Sequence, residues 1–224
     1  MKTSINGVYD IISHEAIVLS PYYDSKGILT IGIGHTKGAG GIDPANYWGK
    51  KLTVAEALDI FRKDLVKFED RVNKAFTVPL TQEQFDAAVS FDFNTGAIHK
   101  ATWVKSFNAG KKSDAIKEIL NWSKPVEIIP RRTKEQELFA KAKYSNAGKA
   151  TLYEADAKGV ASRANAKSIT LNEVVNINVV PMKPVVKPAP VPVAKPVVKP
   201  LVIVDLPAPA PKQGFFSRLF NRKK

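Results

Sequence analysis

Ten of the chain's 15 prolines fall between Pro181 and Pro211. Each fixes φ at about −65° and removes an amide donor, so this stretch can build neither a helix interior nor a sheet ladder. The packed part of the 224-residue chain must therefore come from the residues before it. The repeated proline, valine and lysine of PMKPVVKPAPVPVAKPVVKP read as polyproline II, extended and solvated. At about 3.1 Å per residue, the roughly 31 residues of this stretch would span roughly 95 Å. Residues 181–224 carry nine Lys+Arg and one acid, Asp205, a net of +8 out of +13, so residues 1–180 keep +5. The expected organisation is a folded domain over 1–165, a linker over 166–211 that is proline-rich from 181, and a short basic amphipathic segment over 212–224. The stretch SITLNEVVNINVV is β-rich in composition but isolated.

Composition removes several classes of chemistry. Cysteine is absent, which excludes a disulfide framework, a thiolate metal site and a cysteine nucleophile. No apolar run approaches the roughly 18 residues of a membrane-spanning helix. Met1–Asp10 has no apolar h-region, so the expectation is a protein made without a signal peptide. The positive charge favours polyanionic surroundings: nucleic acid, anionic lipid or cell-wall polymer.

The first 145 residues read as α+β. Ile5–Leu19 has a helical pattern ending near Ser20-Pro21. Tyr22–Ile33 holds two β-like pieces around Asp24-Ser25-Lys26-Gly27, a hairpin composition. Thr53-Val54-Ala55-Glu56 is a capping box, followed by Leu58, Phe61, Leu65, Phe68 and Val72 at helical spacing. Thr81–Gln84 is a second capping box, opening a helix with Phe85, Ala88 and Val89 on one face and ending at Asn94-Thr95-Gly96. Helices are also expected over Ser113–Trp122 and Arg131–Lys143. The architecture is then a small β-hairpin region followed by a mainly helical lobe.

Most acids lie near lysine or arginine on helix faces and read as solvated. Glu15 differs, lying among Ile11, Ile12, Ile17 and Val18, and Asp24 follows nine residues later in the hairpin. A carboxyl partly desolvated at a helix end keeps its proton, whereas one in a polar turn loses it. Such a split pair suits glycosidic cleavage, which needs an acid for the leaving oxygen and a carboxylate for water or the cation. The glycines of Gly32–Gly38 lack the βαβ setting and the Gly-Lys-Ser/Thr of a phosphate loop, and more plausibly allow a tight turn or a close substrate approach. His14, His35 and His99 show no ligand spacing, so neither a metal nor a cofactor is expected; His35 reads as a hydrogen-bonded residue holding the loop.

Taken together, His14-Glu15, Tyr23–Gly27 and Thr30-Ile31-Gly32-Ile33-Gly34-His35 closely resemble the phage-type lysozymes of the T4 endolysin family, glycoside hydrolase family 24. That family carries Glu, an Asp nine positions on, and a Thr six positions further that opens TIGxGH, and Glu15, Asp24 and Thr30 reproduce both spacings. The likeness continues through Leu80–Asp86 and Phe93–Gly96 and ends near Arg131–Glu135, covering roughly residues 5–145. Two positions depart from it: Ala16 stands where glycine is usual, a mild change, and Ala101-Thr102 where Ser-Thr is usual.

The resemblance implies a lysozyme-like α+β fold. It also implies a muramidase that hydrolyses the β-1,4 bond between N-acetylmuramic acid and N-acetylglucosamine in peptidoglycan, causing host lysis. By that resemblance Glu15 is the general acid. Asp24 stabilises the oxocarbenium-like transition state and helps activate water, and Thr30 positions that water. Phe93 and Thr102 form the opposite, substrate-binding wall. A water lying between the enzyme and the far face of the sugar implies inversion.

A non-catalytic wall-binding module, a nucleic-acid binder, a lytic transglycosylase and a virion-carried lysozyme are the competing readings. Glu15, Asp24 and Thr30 together argue against the first three. The lysines interleaved with valine and proline offer no stacking platform for nucleic acid. In the terminal segment Phe215, Phe216, Leu219 and Phe220 share one helical face among basic residues, which suits an anionic membrane or lipopolysaccharide surface. The expected setting is a monomer in the host cytoplasm that reaches the wall through holin pores.

Overall fold

The computed structural model describes residues 1–145 and 148–171. The proline-rich stretch from 181 and the basic segment 212–224 lie outside the described residues.

Ser4 opens helix α1 (Ile5–Glu15), its hydroxyl accepting from the Gly7 amide at 3.0 Å. Val8, Ile11 and Ile12 bury one face of it. The helix ends at Glu15, not near Ser20 as the sequence pattern suggests, and Ile17–Tyr23 is strand β1. The switch happens at Ala16, whose φ of 61° and ψ of 172° lie in a region that glycine alone occupies without strain. Beyond it the β-branched Ile17 and Val18 favour the extended form, and Pro21 sits where the β1 register is interrupted. Alanine in place of glycine is therefore less mild here than the sequence suggests. Ala16→Gly is expected to stabilise the fold by about 1 kcal/mol, relief of strain outweighing the backbone entropy of glycine. Thermal melts should show a Tm rise of roughly 3 °C; a lower Tm would mean that Ala16 is not strained.

The expected hairpin is present: β1 pairs antiparallel with β2 (Leu29–Gly32), which pairs with the short β3 (His35–Thr36). Two 3₁₀ turns, Lys37–Ala39 and Pro44–Tyr47, lead to α2 (Val54–Ala75), which starts at the Thr53/Glu56 capping box. Helix α3 (Gln82–Thr95) starts at the Thr81/Gln84 box and ends at Gly96 in the left-handed conformation, φ 61°. It runs through the middle of the helical lobe and is buried on nearly every side. Its buried acids are all partnered: Asp86 accepts from the Ser4 amide at 3.0 Å and the Tyr144 hydroxyl at 2.7 Å, and Asp92 takes Arg71 at 2.6 Å. Helix α4 (Thr102–Asn108) has no side-chain cap and was not expected. Helices α5 (Lys112–Glu118) and α6 (Ile129–Lys141) complete the lobe around Phe91, Trp103, Phe107 and Phe139, whose rings meet edge to face at 5.1–5.2 Å.

The chain then returns to the sheet. Strands β4 (Lys149–Ala155) and β5 (Ala161–Thr170) form an antiparallel hairpin, and β4 pairs parallel with β1, giving the order β3-β2-β1-β4-β5. The expected domain boundary at 165 falls inside β5, where Ser168, Ile169 and Thr170 still pair with Thr151, Ala150 and Lys149. Its turn repeats that of the first hairpin. Asp24-Ser25-Lys26-Gly27-Ile28 is matched by Asp156-Ala157-Lys158-Gly159-Val160. In each the aspartate Oδ1 accepts two amides, from Lys26 and Ile28 at 2.8 Å and from Lys158 and Val160 at 2.8 and 2.9 Å. The α+β architecture expected from the sequence is the one observed.

His14, in the last turn of α1, is largely buried, and its Nε2 has no hydrogen-bond partner. Burial first, then the charges of Arg131, Lys134 and Arg132, hold its pKa down to about 3. The unfolded chain protonates this ring near pH 6.5 and the folded one does not. Stability is therefore full above that pH and lost as pH falls towards 3, at up to about 1.4 kcal/mol per pH unit. Thermal melts across this window should show a flatter acid limb for His14→Leu than for the unmodified chain; equal slopes would remove His14 from the acid response.

Candidate active site

A cleft of about 430 Å³ separates the hairpin β1–β2 from α2 and the end of α3. Glu15, Asp24, Thr30 and Phe93 all line it. Three pieces of local structure bring the first three together. Glu15 is the final residue of a helix whose orientation is fixed by its buried isoleucines. Asp24 closes β1, held there by its own turn. Antiparallel register sets Thr30 opposite Tyr22, and Tyr22 shares a strand face with Asp24 two residues on.

The Asp24 turn occupies Oδ1, and none of the described residues bonds Oδ2. Thr30 is 2% exposed and donates its hydroxyl proton to the Ile28 carbonyl at 2.9 Å, which leaves its lone pairs to accept. Tyr22 also lines the cleft; burial, aided by the charges of Glu15 and Asp24, pushes its pKa up to about 12, so it stays a neutral hydroxyl.

The sequence set Glu15 among apolar neighbours, but its side chain leaves them: it is 22% exposed and pairs with Arg131 Nη1. Arg131 is anchored from behind by Glu135 Oε1 at 3.0 Å and the Ser90 carbonyl at 3.3 Å. Burial works against its charge, but the carboxylates Glu15 and Glu135 outweigh it and hold the guanidinium ionised. Glu135 also accepts from the Ser90 hydroxyl at 2.7 Å and from Arg132, whose Nη2 reaches Asn94 Oδ1 at 2.7 Å. A buried polar network thus runs from Glu15 through α6 to the cleft end of α3. Sequence reasoning missed Arg131. The available signal was two arginines and a glutamate at i, i+1 and i+4 on the face of α6 that also buries Leu138.

On the opposite wall Phe93 packs against Phe61 and Phe68, with centroids 5.4 and 5.0 Å away, so it serves core and cleft together. Gly34, with φ 71°, faces it across the cleft; an added Cβ would lie 3.8 Å from Phe93 Cζ. Asp64 and Lys67 also line this wall. His35 is buried, with Nδ1 2.7 Å from Asp64 Oδ2 and Nε2 3.0 Å from the Ile42 carbonyl, so it does hold the loop. Thr102 does not line the cleft. After Gly96 the chain turns into the helical lobe, burying Ala97, Ile98 and Ala101, and leaves Thr102 exposed at the start of α4. Among the described residues no group of three His, Asp or Glu is placed to hold a metal ion. A smaller depression of about 330 Å³ beside α2 has one acid, Glu69, already bound by Lys2 and the Thr3 amide at 2.9 Å, which makes it a poor reaction site.

Residues 12–135 match the family model described as phage lysozyme. The chain belongs to the phage lysozyme family. It is accordingly a lysozyme, a glycoside hydrolase acting on peptidoglycan. The endolysin of Salmonella phage P22 is 34% identical over 145 residues, covering 62% of this chain and 98% of that one. The solved endolysin of Escherichia coli O157:H7 phage FAHEc1 superposes with a TM-score of 0.58 at 31% identity, covering 65% of this chain and 98% of that one. A SAR-endolysin of Escherichia phage Mu is 33% identical over 114 residues, covering 50% of this chain and 63% of that one. The hairpin β4–β5 lies beyond the residues matched to the family.

Proposed function

We propose that this lysozyme is a host-lysing endolysin that cleaves the N-acetylmuramic acid to N-acetylglucosamine β-1,4 bond with inversion, using Glu15, Asp24 and Thr30. The reading is supported above all by the meeting of these three residues on one cleft. Glu15, a carboxylate beside Arg131 in the resting enzyme, takes up a proton from solvent before the reaction; Arg131 then holds one of its oxygens, and the other delivers the proton to the leaving sugar oxygen. Positive charge develops at the anomeric carbon, where the Asp24 carboxylate stabilises it. A water enters from the far face, donates one hydrogen bond to Thr30 Oγ1 and loses its other proton towards Asp24. The proton on Asp24 then returns to Glu15 through solvent, which resets the site. Phe93 supplies an apolar face for the glycan; Thr102 lies outside the residues lining the cleft.

Mass spectrometry of muropeptides released from purified peptidoglycan tests the reaction class. Products with a hydrated N-acetylmuramic acid reducing end are expected. Products one water lighter, carrying an anhydro ring, would indicate a transglycosylase instead, and absence of cleavage a binding module.

The chain acts as a monomer that accumulates in the host cytoplasm and reaches the wall through holin pores. Among the described residues no helix is long and apolar enough to cross a membrane. Cells expressing it without a holin should stay intact; lysis without one would point to a different export route. The basic aromatic end 212–224 attaches to an anionic membrane or lipopolysaccharide, with the proline-rich stretch as spacer. Truncation after Val180 should then abolish co-sedimentation with anionic liposomes while turnover on purified peptidoglycan stays within about twofold. Equal sedimentation of both forms would end the anchoring idea.

A further inference from the structure

The second hairpin does more than extend the sheet. A groove of about 420 Å³ runs along its inner side, and Glu15, Tyr22 and Asp24 line both this groove and the catalytic cleft. The groove and the cleft are therefore neighbours that share the wall carrying the two carboxyl groups. The hairpin contributes Tyr153, Gly159, Val160 and Ala161 to the wall, facing Tyr23 and Val18 of β1 among others.

This wall is fixed in place. Ile17 and Val18 pair with Leu152 and Tyr153 in parallel register, and the Tyr23 amide donates to the Gly159 carbonyl at 2.9 Å. The turn sits close: a Cβ on Gly159 would lie 2.9 Å from the Trp48 ring and 3.1 Å from that of Tyr23. The hairpin tip is thus wedged against the residue preceding Asp24. Against that rigid backing the groove still presents open apolar surface, with Tyr23 50% and Val160 61% exposed.

We propose that the β4–β5 hairpin forms an additional glycan subsite, which takes an uncharged N-acetylated sugar of the strand beyond the scissile bond. The proposal rests on the lysozyme reading of the cleft. Tyrosine rings and small apolar side chains suit the faces of a sugar ring and its acetamide methyl. The groove lining holds no lysine or arginine, and the Asp24 carboxylate brings a negative charge to it. That charge disfavours the carboxylate-bearing stem peptide and tolerates a neutral sugar.

An NMR titration of the full chain with the N-acetylglucosamine tetramer tests this directly. Amides of Gly159, Val160 and Ala161 should shift together with those of Gly34 and Phe93. Val160→Arg, a change at an exposed position that fills the groove, should weaken tetramer binding roughly tenfold. Lys167→Ala, on β5 and outside the groove lining, should leave binding unchanged. Shifts at Gly34 and Phe93 without any at the hairpin would overturn the subsite and leave the catalytic cleft standing. No shift at either place would overturn the subsite and count against the cleft as well. Hairpin shifts produced only by a free stem tripeptide would overturn it in favour of peptide recognition.

Discussion

Glu15→Gln should lower glycan cleavage at least ~10²-fold, about 2.7 kcal/mol of barrier, with the fold intact. Glutamine keeps the length and an oxygen for Arg131, so the buried guanidinium retains a partner there and keeps Glu135 behind it. What is lost is the transferable proton. The effect should therefore fall on kcat, with binding of the N-acetylglucosamine tetramer little changed. Turbidity clearing of permeabilised Gram-negative cells gives a rapid readout. Clearing by the variant at the rate of the unmodified enzyme would remove Glu15 from the role of acid.

Thr30→Val should cost about as much, roughly 10²-fold in kcat, because a misplaced nucleophile forfeits the advantage of a held geometry. Valine preserves the shape of a side chain that is 2% exposed. The hydroxyl's present acceptor is not orphaned, since the Ile28 carbonyl also receives the Asp24 amide at 3.0 Å. Structure should survive, and so should sugar binding, because the water and not the glycan needs the hydroxyl. Thr30→Ser, which restores the hydroxyl, should recover much of the rate. If Thr30→Val turns over normally, Thr30 does not position the water.

The residues whose roles are set by local sequence were the ones legible before the fold. Both capping boxes start helices where Thr53 and Thr81 placed them, because a side chain three residues away decides the matter. Asp24 was readable through its turn composition and Glu15 through its spacing. The end of α1 was not readable, since an unusual backbone at Ala16 overrides an apolar pattern that fits helix as well as strand. Arg131 lies 116 residues from Glu15, and only the packing of α3 against both α1 and α6 brings the two together. The second hairpin carried a signal that went unread: Asp156-Ala157-Lys158-Gly159-Val160 repeats the turn of Asp24 almost residue for residue. Its alanine-rich strands are held by the sheet: β4 pairs with β1, a partner more than 130 residues earlier, and β5 pairs with β4. Thr102, a position carried over by resemblance, stands exposed at the start of the short helix α4 and is not among the residues lining the cleft.

The central claim is that a water held by Asp24 and Thr30 attacks the sugar on the face opposite the proton delivered by Glu15. The anomeric form of the newly released reducing end reports that attack directly. Proton NMR of a rapid digest, recorded before mutarotation equilibrates the sugar, should show the α-anomer first. If the β-anomer appears first, the bond is broken with retention, and the roles assigned to Asp24 and Thr30 are wrong.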